Sequence, residues 1–142
     1  VHTYHYTPAI NLLYGVRASI REIIDEDLSK VIERHQNAKH YLVKRIQNIG
    51  LKLLIQESNN LLAGITAVQI PDDIDGNSVI QSMYKEDDIL IGGSLLGSDP
   101  NVPKFWRIGY LGVNADLKKI DQTIESLQKA LQRQRYKIKA HL

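Results

Sequence analysis

Two short stretches of this 142-residue chain carry side chains whose types and spacing suit the capture of anions. The first is Tyr4-His5-Tyr6-Thr7-Pro8. Threonine caps a helix and proline fits its first turn, so Thr7-Pro8 predicts a helix start. Such a start offers unpaired N–H groups and the positive end of the helix dipole, which together receive a phosphate or carboxylate. Two hydroxyls and an imidazole just ahead of it are groups that would hold such an anion. On the other reading Thr7 only caps and the aromatic rings only pack. The second stretch is Arg107 within Phe105-Trp-Arg-Ile-Gly-Tyr-Leu111. A guanidinium among apolar neighbours is costly unless it is paired, and its planar fork matches a carboxylate. The alternative is an exposed position at a sheet edge. Strand alternation places Arg107, Gly109 and Leu111 on one face and Trp106, Ile108 and Tyr110 on the other.

Other constellations are weaker. Gly92-Gly-Ser-Leu-Leu-Gly97 lacks the Gly-Lys-Ser/Thr and the following helix of a phosphate loop, and predicts a strand connection instead. His35 and His40 are five apart, a spacing that does not put both on one helix face, so a metal pair is not expected. Asp72, Asp73 and Asp75 lack the rest of a calcium loop.

The elements that must position these groups follow from periodicity. Ile10, Leu13, Tyr14, Ile20, Ile23 and Ile24 recur at helical spacing, and Asp25-Glu26-Asp27 interrupts them. Leu28, Val31, Ile32, His35, Leu42, Ile46 and Ile49 predict a second helix ended by Gly50. Four strands are expected, over 51–56, 65–70, 89–91 and 105–111. A short helix capped by Asn77 lies between the second and third. A final helix follows Asn114, with Leu117, Ile120, Ile124, Leu127 and Leu131 inward and Glu125 paired with Lys129. This order predicts an α+β sandwich, a short, mostly antiparallel sheet covered on one face by helices.

Composition narrows the classes. The chain has 18 basic and 16 acidic residues, a formal charge of +2, mostly interspersed, which does not suit a nucleic-acid binder. The one basic excess, residues 133–139, would end a helix and suit its negative pole. There are no cysteines, which excludes disulfides and thiolate metal sites. Apolar runs fall far short of a membrane span. The start at Val1 reads as a chain cut from something longer.

Tyr4-His5-x-Thr7, running on through Leu13-Tyr14-x-x-Arg17, resembles the Tyr-His-x-Thr segment of the alanine–glyoxylate/serine–pyruvate aminotransferases, fold type I, class V enzymes that use pyridoxal 5'-phosphate. Phe105 through Ala115 is similar to that family's Arg-Ile-Gly-x-x-Gly signature, and Gly64-Ile-Thr-Ala-Val68 and Ile91-Gly-Gly93 fall between in the expected order. The resemblance implies that residues 1–26 are the end of a large cofactor domain with a connecting helix, and 27–142 the small C-terminal domain. It implies Tyr4 and Thr7 as ligands of the cofactor phosphate, reaching across a homodimer. It implies Arg107 as the site of the substrate α-carboxylate, with Gly92 and Gly93 lining the entrance. The substrates would be small amino acids and 2-oxo acids, with alanine or serine as donor and glyoxylate or pyruvate as acceptor. The family's Schiff-base lysine lies upstream of Tyr4, so this chain alone is expected to be inactive. Another class V enzyme, or a stand-alone amino-acid-binding module, are the rival readings. Tyr6 stands where the family often has histidine, Ala63-Gly64 replaces a Pro-Thr pair, and the loop from Gly92 to Arg107 looks longer than usual. The ending Ala140-His141-Leu142 is similar to a Ser-Lys-Leu peroxisomal signal. A peroxisomal address is therefore expected, and otherwise a cytoplasmic one.

Overall fold

Helix formation follows the apolar periodicity, but the punctuation differs from expectation. The computed structural model describes Tyr6 and residues 8–57, 60–94 and 103–136. Helix α1 spans Ile10–Glu26 and α2 Leu28–Asn48. Pro8 does not occupy the first helical position: α1 begins two residues later, after Ala9, whose carbonyl accepts from Leu12 and Leu13. The break between the helices is Asp27 alone, in the left-handed region at φ 79°. Its carboxylate accepts the Ser29 N–H at 2.8 Å and so caps α2. Gly50, at φ 80°, ends α2 as expected, and the Leu51 N–H returns to the Ile46 carbonyl.

The described residues divide into two compact units between Glu33 and Arg34. In the first, none of the residues of α1 is buried. The second holds the core. Strands β1 (Ile65–Gln69) and β2 (Phe105–Gly109) pair antiparallel, with Val68 opposite Trp106 and Ala67 opposite Arg107. Of the other two expected strands, 51–56 shrinks to a single antiparallel bridge, Leu53 with Val68, and 89–91 does not form, the bridge falling one residue later, between Gly92 and Arg107. At 51–56 the ladder amounts to hydrogen bonds from Leu54 to Ala67 and from Gln69 to Lys52, after which the chain leaves the sheet. The spatial order is therefore Leu53, β1, β2, Gly92, antiparallel throughout.

Burial alternates along both strands. Thr66 and Val68 on β1, and Trp106, Ile108 and Tyr110 along and just beyond β2, face inward against α2, α3 (Gly76–Asp87) and α4 (Leu117–Arg133). Phe105 is the exception, buried on the outward row. Asp75, not Asn77, caps α3, accepting from the N–H groups of Asn77 and Ser78. Gly112–Asn114 forms a 3-10 turn, and Asp116 caps α4. Ile120, Ile124, Leu127 and Leu131 are buried as expected, whereas Leu117 is exposed. Lys129 pairs with Asp87 of α3 at 3.2 Å rather than with Glu125, and Arg133 pairs with Glu86. Tyr41 and Arg45 of α2 both reach Asp121 of α4, at 2.8 and 3.3 Å. The Asp121 carboxylate raises the Tyr41 hydroxyl above its ordinary pKa. Among the described residues no helix is long and apolar enough to cross a membrane.

Candidate functional site: a carboxylate-ready arginine

Arg107 lies in the middle of β2, with a neighbouring segment on each side. Ala67 stands opposite it on β1, and Gly92 opposite it on the far side. With Gly92 the exchange is reciprocal: the Arg107 N–H donates to the Gly92 carbonyl at 2.8 Å, and the Gly92 N–H to the Arg107 carbonyl at 3.0 Å. Both cross-strand neighbours are small, so the outward face has room for the long side chain. The guanidinium folds over Gly92, and its Nε donates to the Gly93 carbonyl at 2.9 Å. The side chain is half-buried, and among the described residues no Asp or Glu forms an ion pair with it. A planar cation with one donor anchored and its terminal nitrogens uncommitted to any acid is ready to receive a carboxylate.

The inward face of the same strand fixes it in place. The buried Trp106 indole donates to the Gly76 carbonyl at 3.1 Å, and the Tyr110 hydroxyl donates to the Leu62 carbonyl at 3.1 Å. Thr66 donates in turn to the Tyr110 hydroxyl at 3.3 Å. Every one of these buried polar groups has a partner, so β2 is held by packing and hydrogen bonds together.

Periodicity did not reveal the clamp at the end of the strand. Gly112, at φ 59°, turns the chain where a side chain would be strained. Its N–H donates to His35 Nε2 at 3.0 Å, and its carbonyl accepts from Arg34 at 2.7 Å. Arg34 also reaches the Ala115 carbonyl at 3.4 Å. By spacing alone His35 belongs to an amphipathic helix; the signal that points further is its polarity amid apolar positions. A cavity of about 320 Å³, lined by Ile89, Ile108, Tyr110, Lys119 and Thr123, lies along α4 and does not include Arg107. Tyr4, Thr7 and the terminal Ala140-His141-Leu142 lie outside the described residues. Among the described residues no group of His, Cys, Asp and Glu is placed to hold a metal ion.

The chain is 34% identical over 130 residues to the alanine–glyoxylate aminotransferase of Felis catus, covering 92% of this chain and 31% of that protein. The solved alanine–glyoxylate aminotransferase of Nostoc sp. superposes with a TM-score of 0.80 at 38% identity, covering 91% of this chain and 33% of that one. This chain belongs to the alanine–glyoxylate aminotransferase family. Within the family it is also 34% identical over 107 residues to the serine–glyoxylate aminotransferase of Arabidopsis thaliana, covering 75% of this chain and 26% of that protein. The chain spans about a third of the length of the aminotransferases it matches. No family model matches it.

Class V aminotransferases are pyridoxal-phosphate enzymes, which makes the fit of that cofactor to this chain a fair question. None of the described lysines is buried, so the described residues offer no sheltered amine to which an aldehyde cofactor would attach. What the described part of the site offers is a cation that suits a carboxylate.

Proposed function

We propose that this chain is the C-terminal part of a pyridoxal-phosphate-dependent transaminase that moves an amino group from alanine or serine to glyoxylate or pyruvate. The observation that carries the reading is Arg107: half-buried, anchored through Nε, and without an acidic partner among the described residues. Amino-acid donor and oxo-acid acceptor have one group in common, the α-carboxylate. One arginine of fixed orientation therefore serves both half-reactions. Its contribution is to hold the substrate by that carboxylate, so that the reacting carbon is presented in one pose. Pyridoxal phosphate, when bound, supplies the electron sink. The names of the relatives support glyoxylate as acceptor, since the alanine and the serine aminotransferase share it.

On the same reading residues 1–26 end a large cofactor domain, 27–142 form the small domain, and the intact enzyme is a homodimer. Tyr4 and Thr7 would then hold the cofactor phosphate of the neighbouring subunit. Thr7→Val should loosen the cofactor, with activity restored by excess pyridoxal phosphate; activity indifferent to added cofactor would remove Thr7 from that role. The function itself is tested by assaying the complete protein that carries this chain for amino transfer from alanine and from serine to glyoxylate. Turnover with at least one donor is expected. Absence of turnover with both, in protein that binds the cofactor, would overturn the assignment.

A further inference from the structure

A guanidinium presents two forks to a carboxylate. One is formed by Nε with a terminal nitrogen, and the other by the two terminal nitrogens together. In this structure Nε of Arg107 already donates to the Gly93 carbonyl at 2.9 Å. Gly92 lies against the same part of the group. A Cβ added there would stand 3.0 Å from Nη2, and 3.3 Å from both Cζ and Nε. Those distances are closer than the 3.5–4.0 Å or so at which heavy atoms pack best. The glycine cannot retreat easily, because its N–H and carbonyl are both bonded to the Arg107 backbone. Nor is Gly92 among the described glycines of positive φ, which are Gly50, Gly64 and Gly112. An alanine backbone would fit at 92, and the demand for glycine comes from the guanidinium.

We propose that Gly92-Gly93 determines which edge of Arg107 meets the substrate: the glycine backbone occupies the Nε fork, and the carboxylate docks end-on through the two terminal nitrogens. Gly92 and Gly93 are thus positioning residues, acting through Arg107. The inference deepens the carboxylate-binding reading of Arg107 and rests on it. It also explains why a small residue stands on each side of Arg107. Ala67 leaves room on the β1 side, and Gly92 removes the one methyl that would force the guanidinium away from the Gly93 carbonyl.

Proton–nitrogen correlation spectra of the 142-residue chain, with acetate as the probe, separate the two forks. In the unaltered chain acetate should shift the terminal Nη signals of Arg107 and leave the Nε–H signal in place. Gly92→Ala should move the Nε–H signal before any acetate is added. It should also weaken acetate binding about tenfold, the scale of one charge-assisted hydrogen bond. Gly109→Ala is the control, since it lies on the same strand face and an added Cβ there meets nothing within 4 Å. It should change neither signal. Acetate that shifts Nε–H while leaving Nη unmoved would overturn end-on docking, and this arm needs no variant to fold. A Gly92→Ala chain with wild-type Nε–H signal and acetate affinity would overturn the glycine's role while leaving Arg107 as the carboxylate site. Undiminished acetate binding by Arg107→Ala would instead overturn the carboxylate reading itself, and this proposal with it.

Discussion

Helices α1 and α4 are both 17 residues long and both amphipathic in sequence, yet they meet opposite fates. Six residues of α4 are buried, among them Ile120, Ile124, Leu127 and Leu131, whereas α1 buries none. Leu12, Leu13, Tyr14, Val16, Ile20 and Ile24 are each at least half exposed. Apolar periodicity promises a helix and a side to be covered, and says nothing of whether the covering element is present. The two helices also differ at their starts. The Asp116 carboxylate caps α4 by accepting from Lys118 and Lys119, while α1 has no side-chain cap at Ala9.

The comparison can be broken by mutation. Leu127→Ala removes a fully buried side chain from the centre of the core and should cost about 2–5 kcal/mol in denaturant unfolding of the chain. A cost near zero would mean that α4 is not the core helix. The caps come next in size. The Asp75 carboxyl is held below the ordinary aspartate value by the Ser78 hydroxyl and by the Ser78 and Asn77 N–H groups. The Lys119 N–H, with that of Lys118, does the same for Asp116. A lowered folded-state pKa gives stability that is complete above the unfolded value of 3.8 and is lost as pH falls below it. The melting temperature of the chain should therefore drop more steeply below about pH 4 than that of an Asp75→Asn/Asp116→Asn double variant. Parallel acid limbs would show that the caps do not contribute. Smallest of all, Leu12→Ala on α1 should change the chain's stability by no more than about 0.5 kcal/mol, and a loss comparable to that of Leu127→Ala would erase the contrast.

Much of the second unit was legible. β2 was readable because a single arginine interrupts an apolar run, and its alternation separated Arg107 from Trp106, Ile108 and Tyr110, which the structure buries. α4 was readable because its five expected apolar positions recur three and four residues apart, and four of them are buried. What failed has local physical causes. The expected strand at 51–56 became a single bridge and that at 89–91 gave way to a bridge at Gly92, since a run of apolar residues does not tell how many rungs its partner can supply. The cap of α3 was misplaced by two residues because aspartate and asparagine compete within one turn. The Glu125–Lys129 pair gave way to Asp87, a partner from another helix that local spacing cannot foresee. The contact between Gly92 and Arg107 joins positions 15 apart, through a pairing that neither residue announces. Tyr4 and Thr7, expected as phosphate ligands, lie outside the described residues.

The central claim is that Arg107 holds the α-carboxylate common to both substrates. Its most direct test is the steady-state kinetics of Arg107→Ala in the complete protein, with donor and acceptor each varied in turn. The Michaelis constants for the amino acid and for glyoxylate should rise together, by roughly ten- to a hundredfold, the worth of a charge-assisted hydrogen bond. Arg107→Lys should recover only part of this, because an ammonium lacks the planar fork. Michaelis constants unchanged for both substrates in Arg107→Ala would contradict the account.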